Sequence, residues 1–249
     1  MQYGICNLSI VAVRDQPANA SEMVTQLLFG EHFKILEERS KWSRIRIAYD
    51  SYEGWVDNQQ FLKIKEELFI ELEDLIPSYS EDLIEYLIDE TNSFTSIPIG
   101  SCLNGLPYLK QKFDGHSIIG KKEKFKLVDT ALLYLNSPYT WGGKTPFGID
   151  CSGLTQMVYR INGYSLLRDS FQQARQGEPL SFIEESEPGD LAFFDDADGN
   201  INHVGIMMKD NYIIHVHGKV RIDRIDHSGI FNLDQKKHTH KLRVIKKIF

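Results

Sequence analysis

The chain has 249 residues, 42% of them hydrophobic and 25% charged, with a formal net charge of -7. That balance describes an ordinary globular chain with enough apolar content for two or three small domains. It argues against a nucleic-acid partner, because neutralising phosphates needs a basic face, and the one basic run, Gly120-Lys121-Lys122-Glu123-Lys124, is short and broken by Glu123.

The start, Met1-Gln2-Tyr3-Gly4-Ile5-Cys6-Asn7, has neither a charged n-region nor an apolar h-region. If Met1 is the native start, the chain is expected to stay in the cytoplasm. No stretch is long and apolar enough to span a bilayer, so no membrane partner is expected. From about Tyr3 to Lys65, short apolar runs separated by turns read as strands: Leu8 to Val13, Phe33 to Leu36, Trp42 to Ile47 and Gly54 to Val56. Trp42, Arg44 and Arg46 alternate with Ser43, Ile45 and Ile47, the period of a half-buried strand. So many short strands in residues 1–65 predict a small β-barrel.

Residues 66–124 are expected to form a second small β-rich unit. Within it, Ser80 followed by Glu81, Asp82, Leu83, Tyr86 and Leu87 predicts a helix capped by Ser80. From Phe125 the pattern changes. Leu127, Val128, Ala131, Leu132 and Leu135 predict a helix, and a Gly/Pro-rich loop follows from Ser137 to Pro146. Strands are then expected at Asp190–Phe194, His203–Met208 and Tyr212–His217. Helix first and sheet after makes residues 125–249 an α+β domain.

The chemistry centres on Gly148-Ile149-Asp150-Cys151-Ser152-Gly153-Leu154. Leu154, Met157, Val158 and Ile161 recur at helical spacing, which places Cys151 at a helix start with Asp150 as its cap. The positive helix end and unpaired N–H groups there favour a thiolate and would stabilise an oxyanion. A nucleophile, a metal ligand and a plain buried thiol are all open readings of such a cysteine. The three cysteines, Cys6, Cys102 and Cys151, have no CxxC pair, so neither a disulfide framework nor a zinc pattern is expected. For a base, His203 shares a strand face with Gly205 and Met207, and His215 shares one with His217. A three- or five-residue loop would turn both faces the same way, bringing His203 to His215 or His217. His32, His116, His227, His238 and His240 are expected on the surface, and Asp196 to Asn200 as a plain acidic turn.

Several separated segments then agree in order: Tyr139-Thr140-Trp141-Gly142-Gly143, Asp150-Cys151-Ser152-Gly153-Leu154, Leu167-Arg168-Asp169-Ser170, Pro188-Gly189-Asp190-Leu191-Ala192-Phe193-Phe194, His203-Val204-Gly205-Ile206 and Ile214-His215. Together they closely resemble the NlpC-type cell-wall cysteine peptidases, a papain-like family; the family's usual proline before the arginine is Leu167 here. The resemblance implies a papain-like domain of helices packed on an antiparallel sheet over residues 125–249. The first unit, ending Tyr52-Glu53-Gly54-Trp55-Val56, resembles a bacterial SH3-like domain.

By this resemblance Cys151 is the nucleophile, His203 the base and His215 the orienting group, with His217 its rival. Members of this architecture are similar to γ-D-glutamyl-L-diamino acid endopeptidases acting on murein peptides. The resemblance places Tyr52, Asp150 and Ser152 on the free amino terminus of the L-Ala, and Trp141 among the substrate-binding residues. It implies no metal and no organic cofactor. A general wall amidase or acyltransferase on the same fold, or a non-catalytic wall-binding module, is the alternative.

Overall fold

Alternation organises the first unit of the computed structural model, which describes residues 2–249. The chain separates into two compact units, the first ending at Lys121 and the second beginning at Lys122. In the first, β1 (Gln2–Ile5), β2 (Ile10–Arg14), β3 (Met23–Leu28), β4 (His32–Glu38), β5 (Trp42–Ile47), β6 (Glu53–Asp57) and β7 (Leu62–Ile64) form an antiparallel sheet in the order β3-β2-β6-β5-β4-β1-β7. Along β5, Ser43, Ile45 and Ile47 are buried while Arg44 and Arg46 are exposed. The inward residues join Val11, Val13, Leu27, Phe33 and Val56 in one apolar core, against which Tyr52 is packed.

Residues 66–121 hold α1 (Glu66–Asp74), β8 (Ser78–Ser80), β9 (Ile84–Asp89), β10 (Phe94–Pro98), α2 (Leu106–Leu109), β11 (Gln111–Phe113) and β12 (Ser117–Ile119). These residues lie in the same compact unit as β1 to β7. Phe29 from the end of β3 packs with Leu87, Ile97 and Leu103, and the Cys102 N–H donates to the Phe29 carbonyl at 2.8 Å. The helix expected after Ser80 is instead the strand β9, flanked by β10 and β11. Of its supposed apolar face only Leu87 is buried, and Leu83 and Tyr86 stay exposed. Two paired neighbours satisfy the β9 backbone, and tertiary pairing overrides the local helix signal.

The second unit begins with α3 (Lys126–Leu133), followed by the two-residue strands β13 (Lys144–Thr145) and β14 (Gly148–Ile149), then α4 (Cys151–Ile161) and α5 (Ser170–Gln173). Strands β15 (Glu178–Leu180), β16 (Leu191–Asp195), β17 (Ile201–Met207), β18 (Tyr212–His217), β19 (Lys219–Asp226), β20 (Gly229–Asn232) and β21 (Lys237–Lys247) form an antiparallel sheet in the order β15-β21-β16-β17-β18-β19-β20. Because β20 also pairs with β21, the six strands from β16 to β21 close into a ring of pairings, a small barrel. Its inward residues, among them Phe194, Met207, Ile213, Ile225 and Ile245, make a core of their own.

Helix α4 packs against α3, α5, β17 and β18, so Ser152 to Ile161 are buried on every side rather than on one face. Burying Leu154, Met157, Val158 and Ile161 contributes on the order of 1.5–3 kcal/mol each, enough to hold the helix start rigidly. No helix among the described residues is long and apolar enough to cross a membrane.

Candidate active site

The start of α4 is built around one carboxylate. Asp150 caps the helix with Oδ1, which accepts the Gly153 N–H at 2.6 Å, while Oδ2 accepts the Gly142 N–H at 2.8 Å. Arg168, fully buried, closes a two-pronged pair with it, Nη1 to Oδ1 at 3.0 Å and Nη2 to Oδ2 at 2.6 Å. The same Nη1 donates to Ser152 Oγ at 2.9 Å, and that hydroxyl lies 3.3 Å from Asp150 Oδ1. Planar guanidinium and carboxylate match in such a fork, which gives direction as well as attraction. Asp150 and Ser152 thus lie side by side, but the carboxylate already holds a cation. Tyr52 lies in the first unit, where its N–H donates to Asp50 Oδ1 at 3.0 Å and its carbonyl accepts from Ile47. Trp141 is 61% exposed, on the loop before β13.

Gly153 permits this packing. A Cβ there would stand 2.3 Å from the Gly143 carbonyl and 2.9 Å from Asp150 Oδ1, so only glycine lets the loop and cap close together.

Cys151 occupies the first position of α4 and is only partly covered, whereas Cys6 and Cys102 are buried. Burial and the neighbouring Asp150 carboxylate push its thiol up to about 12, against the opposing pull of the Val204 N–H, Arg168 and the Ser152 N–H. Both act against the helix end, which by itself favours the thiolate. A buried negative cap outweighs the helix end, and the resting sulfur carries its proton.

The proton acceptor is assembled by the sheet. Gly205 pairs with His215, and Met207 with Ile213, so a five-residue connection puts the odd-numbered residues of β17 and β18 on one face. His203 Nε2 lies 2.9 Å from His215 Nδ1, and both rings are buried. His217, the rival, has its ring centre 6.5 Å from that of His215. Behind His215 stands a residue that sequence reasoning missed: Asp223 on β19, whose Oδ2 is 3.0 Å from His215 Nε2. Arg221 holds that carboxylate with two hydrogen bonds of 2.7 and 2.9 Å. Burial works to raise the Asp223 carboxyl, but the bonds from His215 and Arg221 hold it well below the usual carboxylate range.

This chain of contacts decides where each proton sits. An ionised Asp223 can only accept, so His215 must donate from Nε2 and carry its lone pair on Nδ1. His203 then donates from Nε2 to His215, which leaves its own Nδ1 as a free base. Burial holds His203 well below its ordinary value and so neutral at rest. The Val204 N–H, from the residue next to His203, lies within hydrogen-bonding reach of the Cys151 sulfur. Neutral thiol, neutral base and a buried counter-charge two rings away make a site for nucleophilic acyl transfer.

Residues 136–241 match the NlpC/P60 family, and residues 13–61 match the bacterial dipeptidyl-peptidase SH3 domain. The chain carries an NlpC/P60 domain. It is a cysteine peptidase, with a bacterial SH3 domain in its first unit. Among its relatives, Dipeptidyl-peptidase 6 of Lysinibacillus sphaericus is 28% identical over 231 residues, covering 80% of this chain and 82% of that protein. The Gamma-D-glutamyl-L-lysine dipeptidyl-peptidase of Bacillus subtilis is 28% identical over 215 residues, covering 77% and 71%. A crystal structure of an NlpC/P60 family protein from Bacillus cereus superposes with a TM-score of 0.78 at 17% identity, covering 99% of each chain, and shows the same fold.

In the NlpC/P60 domain His240, expected on the surface, is a correction. Its ring stacks on His203, with centres 4.1 Å apart and planes at 23°. Strand β21 carries it there because its register shifts at the β20 pairing, after Ile230 meets His240. The His203–His215 contact also depends on Gly205. A Cβ at that position would lie 2.9 Å from His215 Cβ and 2.7 Å from Ile213 Cδ1. Gly205→Ala is expected to lower stability by about 1–3 kcal/mol, the usual range for overpacking, and to reduce kcat by displacing His215. Denaturant unfolding and steady-state kinetics on one preparation check both.

Proposed function

We propose that this peptidase hydrolyses the γ-D-glutamyl–L-diamino acid bond of murein peptides whose N-terminal L-Ala is free. The observation that carries the reading is the similarity to gamma-D-glutamyl-L-lysine dipeptidyl-peptidases, which extends over both units and more than three-quarters of the chain. An enzyme that removes two residues at a time must measure from a free end, so recognition of an amino terminus belongs to such an activity.

The site supports the chemistry step by step. Cys151 Sγ attacks the γ-glutamyl carbonyl carbon as its proton passes to His203 Nδ1. The imidazolium, held through Nε2 by His215 and Asp223, gives that proton to the departing amine. Water, deprotonated by the same Nδ1, then opens the thioester and frees L-Ala-γ-D-Glu.

Asp150 and Ser152, beside the nucleophile, are the polar groups proposed to receive the substrate's ammonium, with Trp141 on the rim. Since Arg168 already pairs with Asp150, a substrate lacking the ammonium leaves no carboxylate stranded. Discrimination is therefore expected at the level of lost charge-assisted hydrogen bonds, roughly 10–100-fold in kcat/KM. The test compares L-Ala-γ-D-Glu-L-Lys, its diaminopimelate analogue and their N-acetylated forms by mass spectrometry. Cleavage of free and acetylated tripeptides at equal rates would leave a general wall hydrolase as the better reading. Asp150→Asn is unsuited to this test, because it removes the charge that pairs with buried Arg168 and so changes the fold around the helix start as well as the substrate contact.

A further inference from the structure

The proton path uses His203, His215 and Asp223, and leaves His240 without a part in it. Yet one nitrogen from each of His203, His215 and His240 falls within 4.8 Å of the other two. We propose that these three histidines form an inhibitory site for a borderline divalent cation of the Zn²⁺ class.

Two of the three ring nitrogens that point away from the cluster are already held. His215 Nε2 is bound to Asp223 at 3.0 Å, and His240 Nδ1 lies 2.9 Å from Thr239 Oγ1. This is how ligating imidazoles are oriented: one nitrogen on a carboxylate or hydroxyl, the other turned to the metal. His203 Nε2 and His215 Nδ1, which without metal share one proton across 2.9 Å, are the ligand atoms together with one nitrogen of His240, and a cation takes the place of that proton. Zinc–nitrogen bonds of about 2.0–2.1 Å bring tetrahedral ligands to about 3.3 Å from each other. The nitrogens of His203 and His215 stand 2.9 Å apart and all three lie within 4.8 Å of one another, and the fourth position is left to water. His240 is only half-buried, which gives the cation a way in.

Occupancy would switch off the base without touching Cys151. A neutral imidazole that gives its Nε2 lone pair to a metal carries its proton on Nδ1. His203 would then present an N–H to the thiol where catalysis needs a lone pair. Binding stands on the geometry of the three rings alone, while inhibition rests on His203 being the base of the proposed reaction.

The experiment separates the two claims. Zn²⁺ is titrated calorimetrically into full-length Cys151→Ala protein, which removes the thiol as a competing ligand. One ion per chain is expected to bind, and His240→Phe in the same background, which keeps the ring stack but removes the nitrogens, is expected to weaken it by at least ~10²-fold. Cobalt(II) bound to Cys151→Ala should show a nitrogen/oxygen spectrum, unchanged by His217→Phe, with circular dichroism verifying the fold of each variant. No binding to Cys151→Ala, or equal binding with and without His240, overturns the site. In the activity arm, Zn²⁺ should inhibit the intact enzyme reversibly and inhibit His240→Phe only at far higher concentration. Equal inhibition of both would overturn the regulatory role while leaving the peptidase reading untouched.

Discussion

Replacing Cys151 by alanine is expected to abolish peptide hydrolysis and leave the fold intact. The side chain stands at the first position of α4, where the cap is supplied by Asp150 rather than by the cysteine. Alanine is a good helix former, and losing one partly covered sulfur opens little space. Cys6→Ala and Cys102→Ala should remain active, since Cys6 Sγ contacts the Leu8 carbonyl and Cys102 Sγ contacts Asn104, both within the first unit. Because partial burial and Asp150 push the thiol up to about 12, alkylation should be slow without substrate and still fall on Cys151, which is less covered than Cys6 and Cys102. Peptide mapping after iodoacetamide treatment checks this. Inactivation that maps to Cys102 with Cys151 unmodified would overturn the assignment.

The second large effect is expected along the histidine chain. His203→Ala removes the base of the proposed reaction and should lower kcat by ~10²–10⁴-fold. Asp223→Asn is expected to fall in a similar range for a different reason. An asparagine amide can donate to His215 Nε2, which turns both rings to the opposite tautomer and puts the proton of His203 on Nδ1. The ring positions survive while the free lone pair is lost. Arg221 keeps its 2.9 Å contact with Asp234, so the substitution does not leave that cation unpaired. His215→Ala should cost less than His203→Ala, and His217→Ala least. The sign of the pH dependence follows from His203: the neutral ring is the active form and burial holds it well below 6.5, so the acidic limb of kcat/KM should lie below pH 6.5. An Asp223→Asn enzyme within a few-fold of the parent would show that Asp223 does not set the tautomers.

Local sequence was enough for several features that depend on short spacing, though not for the segment after Ser80, where strand pairing overrode a helical spacing. Helical spacing after Asp150 placed Cys151 at the first position of α4, and the period of two through His203, Gly205 and Met207 placed the base on β17. The length of the connecting loop decides parity and so puts both His215 and His217 on the face of His203, whereas the register that sets Gly205 against His215 is what brings His215 to 2.9 Å from His203. Alternation through Ser43, Ile45 and Ile47 was likewise sufficient to place β5 with one face in the barrel core.

What escaped were contacts made by closing the sheet. Asp223 and Arg221 sit in Lys219–Asp226, a charged run whose strand signal is weak until β18 pairs with it. His240 lies in the polar strand Lys237–Lys247, and only its return between β16 and β20 brings it onto His203. Arg168 was visible as part of a motif, but its pairing with Asp150 spans 18 residues of chain and depends on how the loop after α4 folds back. The acidity of Cys151 was decided the same way. A helix end is a local feature that sequence reveals, whereas burial and a charge already paired are properties of the packed whole, and here they are the stronger.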